Sequence, residues 1–243
     1  MKLIITSCFI LITYLGFAQK DSSLNGLFKK ATKVFNQKQN GSSLSASEIA
    51  DGLKEALSIG AQKSADQLSA ADGFFKDAAI KILMPQEALT VEKKLRAVGL
   101  GNLVDKAILS MNRAAEDASK SAAPIFLSAI KNLTVNDAIG ILRGTDTAAT
   151  SYLRRSTTSE LLSAFTPIIE TSLQKLNATE YWEDVFTAYN KISFNKVNTD
   201  LNGFVTGKAI DGLFYYVATE EKNIRKNPAE RVTGLLKKVF GSN

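Results

Sequence analysis

A chain of 243 residues with 30 Lys and Arg against 24 Asp and Glu, no histidine and one cysteine has few routes to chemistry. With no imidazole, and with Cys8 inside an apolar leader, thiol nucleophiles, imidazole bases and the usual zinc ligands are excluded. The net charge of +6 is spread over interleaved acids and bases, which argues against nucleic acid as a partner, because such binders gather their cations in one patch.

The chain opens with Lys2, an apolar run from Leu3 to Leu15 and then Gly16-Phe17-Ala18. A short basic region, a brief apolar segment and small residues before a cut are the order of a secretory signal peptide, so residues 1–18 are expected to be removed near Ala18. The run is too short to span a bilayer, which needs about 20 apolar residues. No later segment approaches that length, and no transmembrane segment is expected in the mature chain. Acylation at Cys8 is disfavoured, because only Leu3 to Ile5 would form the apolar run ahead of it. The product is then periplasmic or extracellular, and residues 19–243 form a single all-helical domain with 19–43 loosely attached.

Leu24, Leu27, Phe28, Ala31, Val34 and Phe35 recur at helical spacing opposite Lys29, Lys30 and Lys33. Ser45-Ala46-Ser47-Glu48 has the spacing of a capping box and predicts a helix start. Ile49, Leu53, Ala56, Leu57, Gly60, Ala61, Ala65 and Leu68 make its apolar stripe, with small residues midway for close contact. Asp72-Gly73-Phe74-Phe75 reopens the apolar pattern through Ile80, Ile82 and Leu83, and Pro85 stops it or opens the next helix. Leu89, Val91, Leu95 and Val98 lead to Gly99-Leu100-Gly101, a helix end and turn.

Asn102 to Asn132 reads as the central long helix, kinked or broken at Pro124. Thr134 or Asn136 starts a short helix that Gly144 ends, and Asp146 is an acidic N-cap candidate before Tyr152 and Leu153. Thr157 or Thr158 is expected to cap a helix through Leu161, Phe165, Ile169 and Leu173, bent at Pro167. Tyr181, Trp182, Phe186 and Tyr189 form an aromatic stripe, read as core or as a platform for a sugar or apolar ligand. The pattern resumes from Phe204 to Ala218, stops at Asn227-Pro228, and a last amphipathic helix carries Val232, Leu235, Leu236, Val239 and Phe240. No run alternates with a period of two over strand length, so the class is all-α. Asp72-Gly73-Phe74 and Asp211-Gly212-Leu213-Phe214 are alike, but two short matches are weak grounds for a duplication.

Asp72-Gly73-Phe74, Ile82 with Pro85, Met111-Asn112-Arg113-Ala114-Ala115-Glu116, Pro124-Ile125-Phe126, Gly144-Thr145-Asp146, Ala149-Thr150-Ser151-Tyr152, Asp211-Gly212-Leu213-Phe214 and Asn227-Pro228 stand in this order. In that combination the chain resembles the bacterial family called domain of unknown function 4197, over nearly all of the expected mature chain. The resemblance implies an exported, largely helical protein of Gram-negative bacteria and supplies no catalytic assignment.

The residues that could carry function form two constellations and a loop. Asn112, Arg113 and Glu116 lie within two helical turns, so Arg113 can pair with Glu116 or Asp117 and Asn112 can bond Glu116. They line a cleft or fix helix register. Asp211, Glu220, Glu221 and Arg225 are the second set: Glu221 and Arg225 have the spacing of a helical ion pair, and paired carboxylates can do acid–base work. Gly144, Thr145, Asp146 and Thr150 offer free N–H groups and hydroxyls at a helix start, a cap or an anion site whose donors Asp146 would already occupy. No cofactor or metal motif is present. The leading expectation is an exported domain that binds a small ligand or envelope protein without catalysis. One alternative is a carboxylate-based hydrolase of envelope glycans using Glu116, Asp211, Glu220 and Glu221; another is a helical assembly protein.

Overall fold

The computed structural model describes residues 44–241, apart from 176, 180–181, 184–185, 188–189, 191–195 and 197–199. The expected signal peptide, the 24–35 stretch, Tyr181 and Tyr189 lie outside the described residues. Within them the domain is all-α and compact, with no strand.

Helix α1 spans Ala46–Ser69 and starts where the capping box places it. The Glu48 amide donates to Ser45 Oγ at 3.2 Å, and the Ser45 amide donates to Glu48 Oε2 at 2.8 Å. After α1 the chain does not resume a helix. Residues 71–80 form successive turns and 81–85 run extended, so Phe74, Ile82 and Met84 are buried from irregular backbone while Leu83 is exposed. The reason is local: Asp72 adopts φ 68°, and a Cβ on Gly73 would lie 2.4 Å from the carbonyl oxygen of Gln67. Pro85 stands just before a single 3-10 turn, Gln86–Ala88, which leads into α2, Leu89–Ala97.

Helix α3 is Gly101–Ser119 and α4 is Ala122–Lys131. Of the kink or break expected near Pro124, the structure has the break, which falls at Lys120 and Ser121, one turn ahead of the proline. A proline has no N–H and its ring collides with the carbonyl four residues back, here that of Lys120. Ending α3 at Ser119 places Pro124 in the first turn of α4, where a missing N–H costs nothing. Helix α5, Val135–Leu142, begins at a second capping box, Thr134 with Asp137.

Helix α6 runs unbroken over Ala148–Gln174, so neither Thr157 nor Thr158 caps a new helix. Both hydroxyls donate back to the carbonyl four residues earlier, Leu153 at 2.7 Å and Arg154 at 2.5 Å, which a threonine inside a helix does readily. Helix α7 is Leu201–Lys226, capped by Asp200, and α8 is Gly234–Gly241. Val232, expected on the apolar face of the last helix, lies ahead of α8 and is exposed.

Helices α3, α6 and α7 pack on one another, and α1 lies across α4, α5, α7 and α8. Small residues set the closest approaches: Gly60 of α1 faces Glu220 and Ile224, and Gly52 faces Leu235 and Val239 of α8. Phe126 meets Phe214 edge to face, ring centroids 5.6 Å apart, at the centre of the core.

The two similar segments are not copies of one unit. Asp72-Gly73-Phe74 lies in turns, whereas Asp211-Gly212 is mid-helix, and the two touch. A Cβ on Gly212 would lie 2.6 Å from Phe74 Cε1. Phe74 is fully buried and has no room to yield, so Gly212→Ala is expected to lower stability by about 1–3 kcal/mol. Urea denaturation of the variant measures this; an unchanged midpoint would show that Phe74 can move.

Candidate functional site

The first constellation ties the irregular 72–85 stretch to α3. Glu116 Oε1 accepts the backbone N–H groups of Phe74 and Phe75, each at 3.1 Å, and Oε2 accepts from Arg113 Nη1 at 2.6 Å. Arg113 Nη2 continues to Asp72 Oδ1 at 2.6 Å, and Lys76 reaches the other Asp72 oxygen at 2.8 Å. The hydrogen bonds from Lys76 and Arg113 hold the Asp72 carboxyl below its ordinary range, and Glu116 and Asp72 raise Arg113.

Asn112 does not bond Glu116. Its Oδ1 accepts the Ile82 N–H at 2.9 Å, and its Nδ2 donates to the carbonyls of Ile82 at 2.8 Å and Ile108 at 2.7 Å. The side-chain amide thus pairs with one residue of extended chain as a neighbouring strand would, and all of this is buried. Asp117 turns away to Lys120 and Ser172.

The second constellation ties α7 to the junction of α5 and α6. Glu221 Oε1 accepts the Ala149 N–H at 3.0 Å, and Oε2 accepts the N–H and the hydroxyl of Thr150, both at 2.8 Å. These donors are at the start of α6, where free N–H groups and the helix dipole attract an anion. Asp146 was expected there; it pairs with Lys226 at 2.6 Å instead, and Thr147 makes no side-chain cap. A carboxylate from another helix occupies the anion position of Gly144, Thr145, Asp146 and Thr150, so the N-terminus of α6 is closed to an outside ligand. Gly144 allows the tight approach, since a Cβ there would meet that of Ala148 at 2.6 Å.

Arg225 completes the joint. Its Nε and Nη2 donate to Glu221 Oε1, and the same guanidinium donates to the carbonyls of Ile141 and Leu142 at the end of α5. The last turn of α7 is served by Arg231, which donates to the carbonyls of Ile224 and Arg225. Glu220 leaves this joint for Lys63 of α1 at 2.9 Å. Asp211 lies apart, exposed, and pairs with Arg154 at 3.1 Å while Arg154 stacks over Phe214.

The seven candidate polar residues therefore do not share one cleft. Arg113 and Glu116 serve one joint, Glu221 and Arg225 another, and these side chains bond backbone, their ion-pair partners and, for Glu221, the Thr150 hydroxyl. Among the described residues no group of three His, Cys, Asp or Glu is placed to hold a metal ion.

The open space lies elsewhere, in a groove of about 800 Å³ between the non-helical 79–85 stretch with the 3-10 turn after it and the α7 residues from Phe204 to Tyr215. Ile80, Leu83, Trp182 and Tyr215 supply apolar surface, and Lys81, Lys196, Lys208, Glu87 and Asp211 supply charge. Trp182 packs against Phe186 with centroids 4.5 Å apart and rings tilted at 49°, so the described part of the aromatic stripe serves the core and one edge of the groove. Lys81 lies 4.0 Å over the Phe75 ring, and neither Lys81 nor Lys208 has a carboxylate partner among the described residues. Trp182, Asp211, and Ile82 with Pro85 stood out in the sequence, but nothing there brought them to one groove, because its two walls are more than 100 residues apart in the chain.

One hydrogen bond fixes the groove wall from behind. Tyr216 donates to Asp77 Oδ2, and Asp77 Oδ1 accepts the Ala79 N–H at 2.8 Å. Burial, and then the Asp77 bond and charge, push the Tyr216 hydroxyl up to about 12 from 10.0. Because the folded state holds the neutral phenol, this contribution is complete below pH 10 and is lost as pH rises toward about 12. Alkaline titration of stability should therefore be flatter over that window for Tyr216→Phe than for the wild type. Identical slopes would remove the phenol from the account.

No curated protein and no solved structure matches the chain. The match to a known family agrees with the motifs that became the joints, the Asn112-Arg113-Glu116 set and the Glu221-Arg225 set, since it spans them both. Over residues 43–241 the chain belongs to the family described as a protein of unknown function, DUF4197.

Proposed function

We propose that this is a non-catalytic binding domain of the cell envelope, and that the groove between the 79–87 segment and α7 is where it takes a small ligand or a segment of an envelope protein. The observation that carries the reading is the contrast between the groove and the polar clusters. The groove combines apolar walls with two lysines lacking carboxylate partners among the described residues, the usual make-up of a recognition site. Of the glutamates that a hydrolase would use, Glu116 and Glu221 are spent on backbone N–H groups and arginines, and Glu220 pairs with Lys63.

A glycan hydrolase requires two carboxyl groups flanking one bond across a shared cleft, about 5–9.5 Å apart. Of the four candidate acids only Asp211 lines the groove, and it is engaged with Arg154. The export expected from residues 1–18 supports the envelope as the place of action.

The test is retention of envelope components on immobilised protein, compared between the wild type and a Tyr215→Ala/Lys208→Glu variant. Both side chains are on the groove and outside the core. A component held by the wild type and released by the variant supports the reading. Hydrolysis of envelope glycans by the wild type that is lost in Asp211→Asn would replace it with the hydrolase.

A further inference from the structure

The hairpin formed by α2 and the start of α3 ends in a turn that has no role in the core. Helix α2 packs mainly on α3 and buries one side chain of its own, Val91. At the turn Gly99 takes φ +84°, and a Cβ built there meets nothing within 4 Å, so the turn projects into open space. Around it Val98, Leu100 and Leu103 are 70%, 44% and 54% exposed. Isolated apolar residues on a surface are ordinary, but three on one projecting turn form a patch.

The charges beside the patch are arranged with one sign outward. Between Thr90 and Ala107 the cations are Lys93, Lys94, Arg96 and Lys106 and the acids are Glu92 and Asp105. Arg96 pairs with both acids, with Glu92 at 2.9 Å along α2 and with Asp105 at 2.7 Å across the turn. That leaves Lys93, Lys94 and Lys106 exposed and without carboxylate partners among the described residues. Lysine stems are long enough to lie along apolar surface while the ammonium reaches outward.

We propose that this turn docks the domain on an anionic lipid bilayer. Val98, Leu100 and Leu103 enter the interfacial region, and Lys93, Lys94 and Lys106 meet lipid phosphates. Two physical points favour a bilayer over a protein partner. A convex turn of three apolar residues cannot supply the roughly 800 Å² per side that a stable protein interface buries, whereas a bilayer closes around a small projection. Cations ringing an apolar tip, with the neighbouring acids neutralised, match a layer of phosphates above hydrocarbon.

Flotation of the chain from Gln19 onward with vesicles of mixed phosphatidylglycerol and phosphatidylcholine, and with phosphatidylcholine alone, tests this. The wild type should float with the anionic vesicles and about tenfold less with the neutral ones. Val98→Asp/Leu100→Asp/Leu103→Asp should abolish flotation, and Lys93→Gln/Lys94→Gln/Lys106→Gln should weaken it about tenfold and remove most of its salt dependence. All six positions are exposed, so thermal melting should be unchanged. Leu100→Trp gives a direct reading, since its fluorescence should shift to the blue with anionic vesicles while buried Trp182 stays constant. The proposal fails if the wild type does not float. It fails equally if the aspartate variant floats as well as the wild type, which would place the contact in the 24–35 stretch, or if the aspartates abolish only self-association.

Discussion

Replacing Glu221 by alanine should lower the unfolding free energy by about 3–5 kcal/mol, the range for removing one partner of a buried ion pair. The carboxylate is 6% exposed and accepts from the Ala149 and Thr150 amides, the Thr150 hydroxyl and Arg225. Its loss leaves all of these facing a cavity, and the start of α6 and the end of α5 lose their common anchor. Since a domain of this kind has only about 5–15 kcal/mol in total, the variant should sit near the edge of folding at 37 °C. Denaturation by urea gives the number. Arg225→Ala should cost less than Glu221→Ala, because the carboxylate keeps its three donors from α6. The double variant should fall well short of the sum, since each side chain is the other's partner. Strict additivity would mean that Glu221 acts as a helix cap alone.

Asn112→Ala has the second large effect, and its readout bears on the groove. The side-chain amide satisfies the N–H and the carbonyl of Ile82, both shielded from water, and leaving each without a partner costs about 1–3 kcal/mol. The same bonds hold the extended 81–85 segment against α3, and that segment is one wall of the groove. Hydrogen exchange should therefore report a loss of protection at the Ile82 amide larger than at the centre of α7. A uniform change across the domain would show that the segment is held by packing of Phe74 and Ile82 instead. Retention of a groove ligand should fall in this variant although no groove side chain has been altered.

The two joints share a design that a sequence can hint at without completing. Glu116 with Arg113, and Glu221 with Arg225, stand at spacings that put acid and base on one helical face. That much was legible, and so were the capping box of Ser45 with Glu48, a helix start at Thr134 or Asn136, the helical class and the turn at Gly99. The partners across space were not. Nothing near Glu221 indicates that its oxygens end on the amides of Ala149 and Thr150, more than 70 residues away. Asp146 was the reasonable local choice for that position, and Lys226 drew it off. Asn112 was placed beside Glu116 because they are four apart, but its amide bonds the carbonyl of Ile108 and the extended chain at Ile82. Lys63 and Arg231, which complete these networks, carry no local pattern that would mark them, and the motif around Asp72 did not indicate its bond to Arg113.

What the chain determined alone is whatever depends on neighbours within a few residues. Apolar spacing made the class all-α, Ser45 with Glu48 and Thr134 with Asp137 fixed two helix starts, and Pro124 required a break within one turn of itself. The tertiary structure decided which polar groups answer one another. A buried carboxylate takes whatever donors packing presents, and those come from helices distant in sequence. It also decided the groove, because two walls far apart in the chain meet only when Asn112 holds Ile82 and the segment around it opposite α7. The arginine and glutamate motifs that drew attention as chemistry hold the frame, and of the residues that drew it only Asp211 and Trp182 reach the groove.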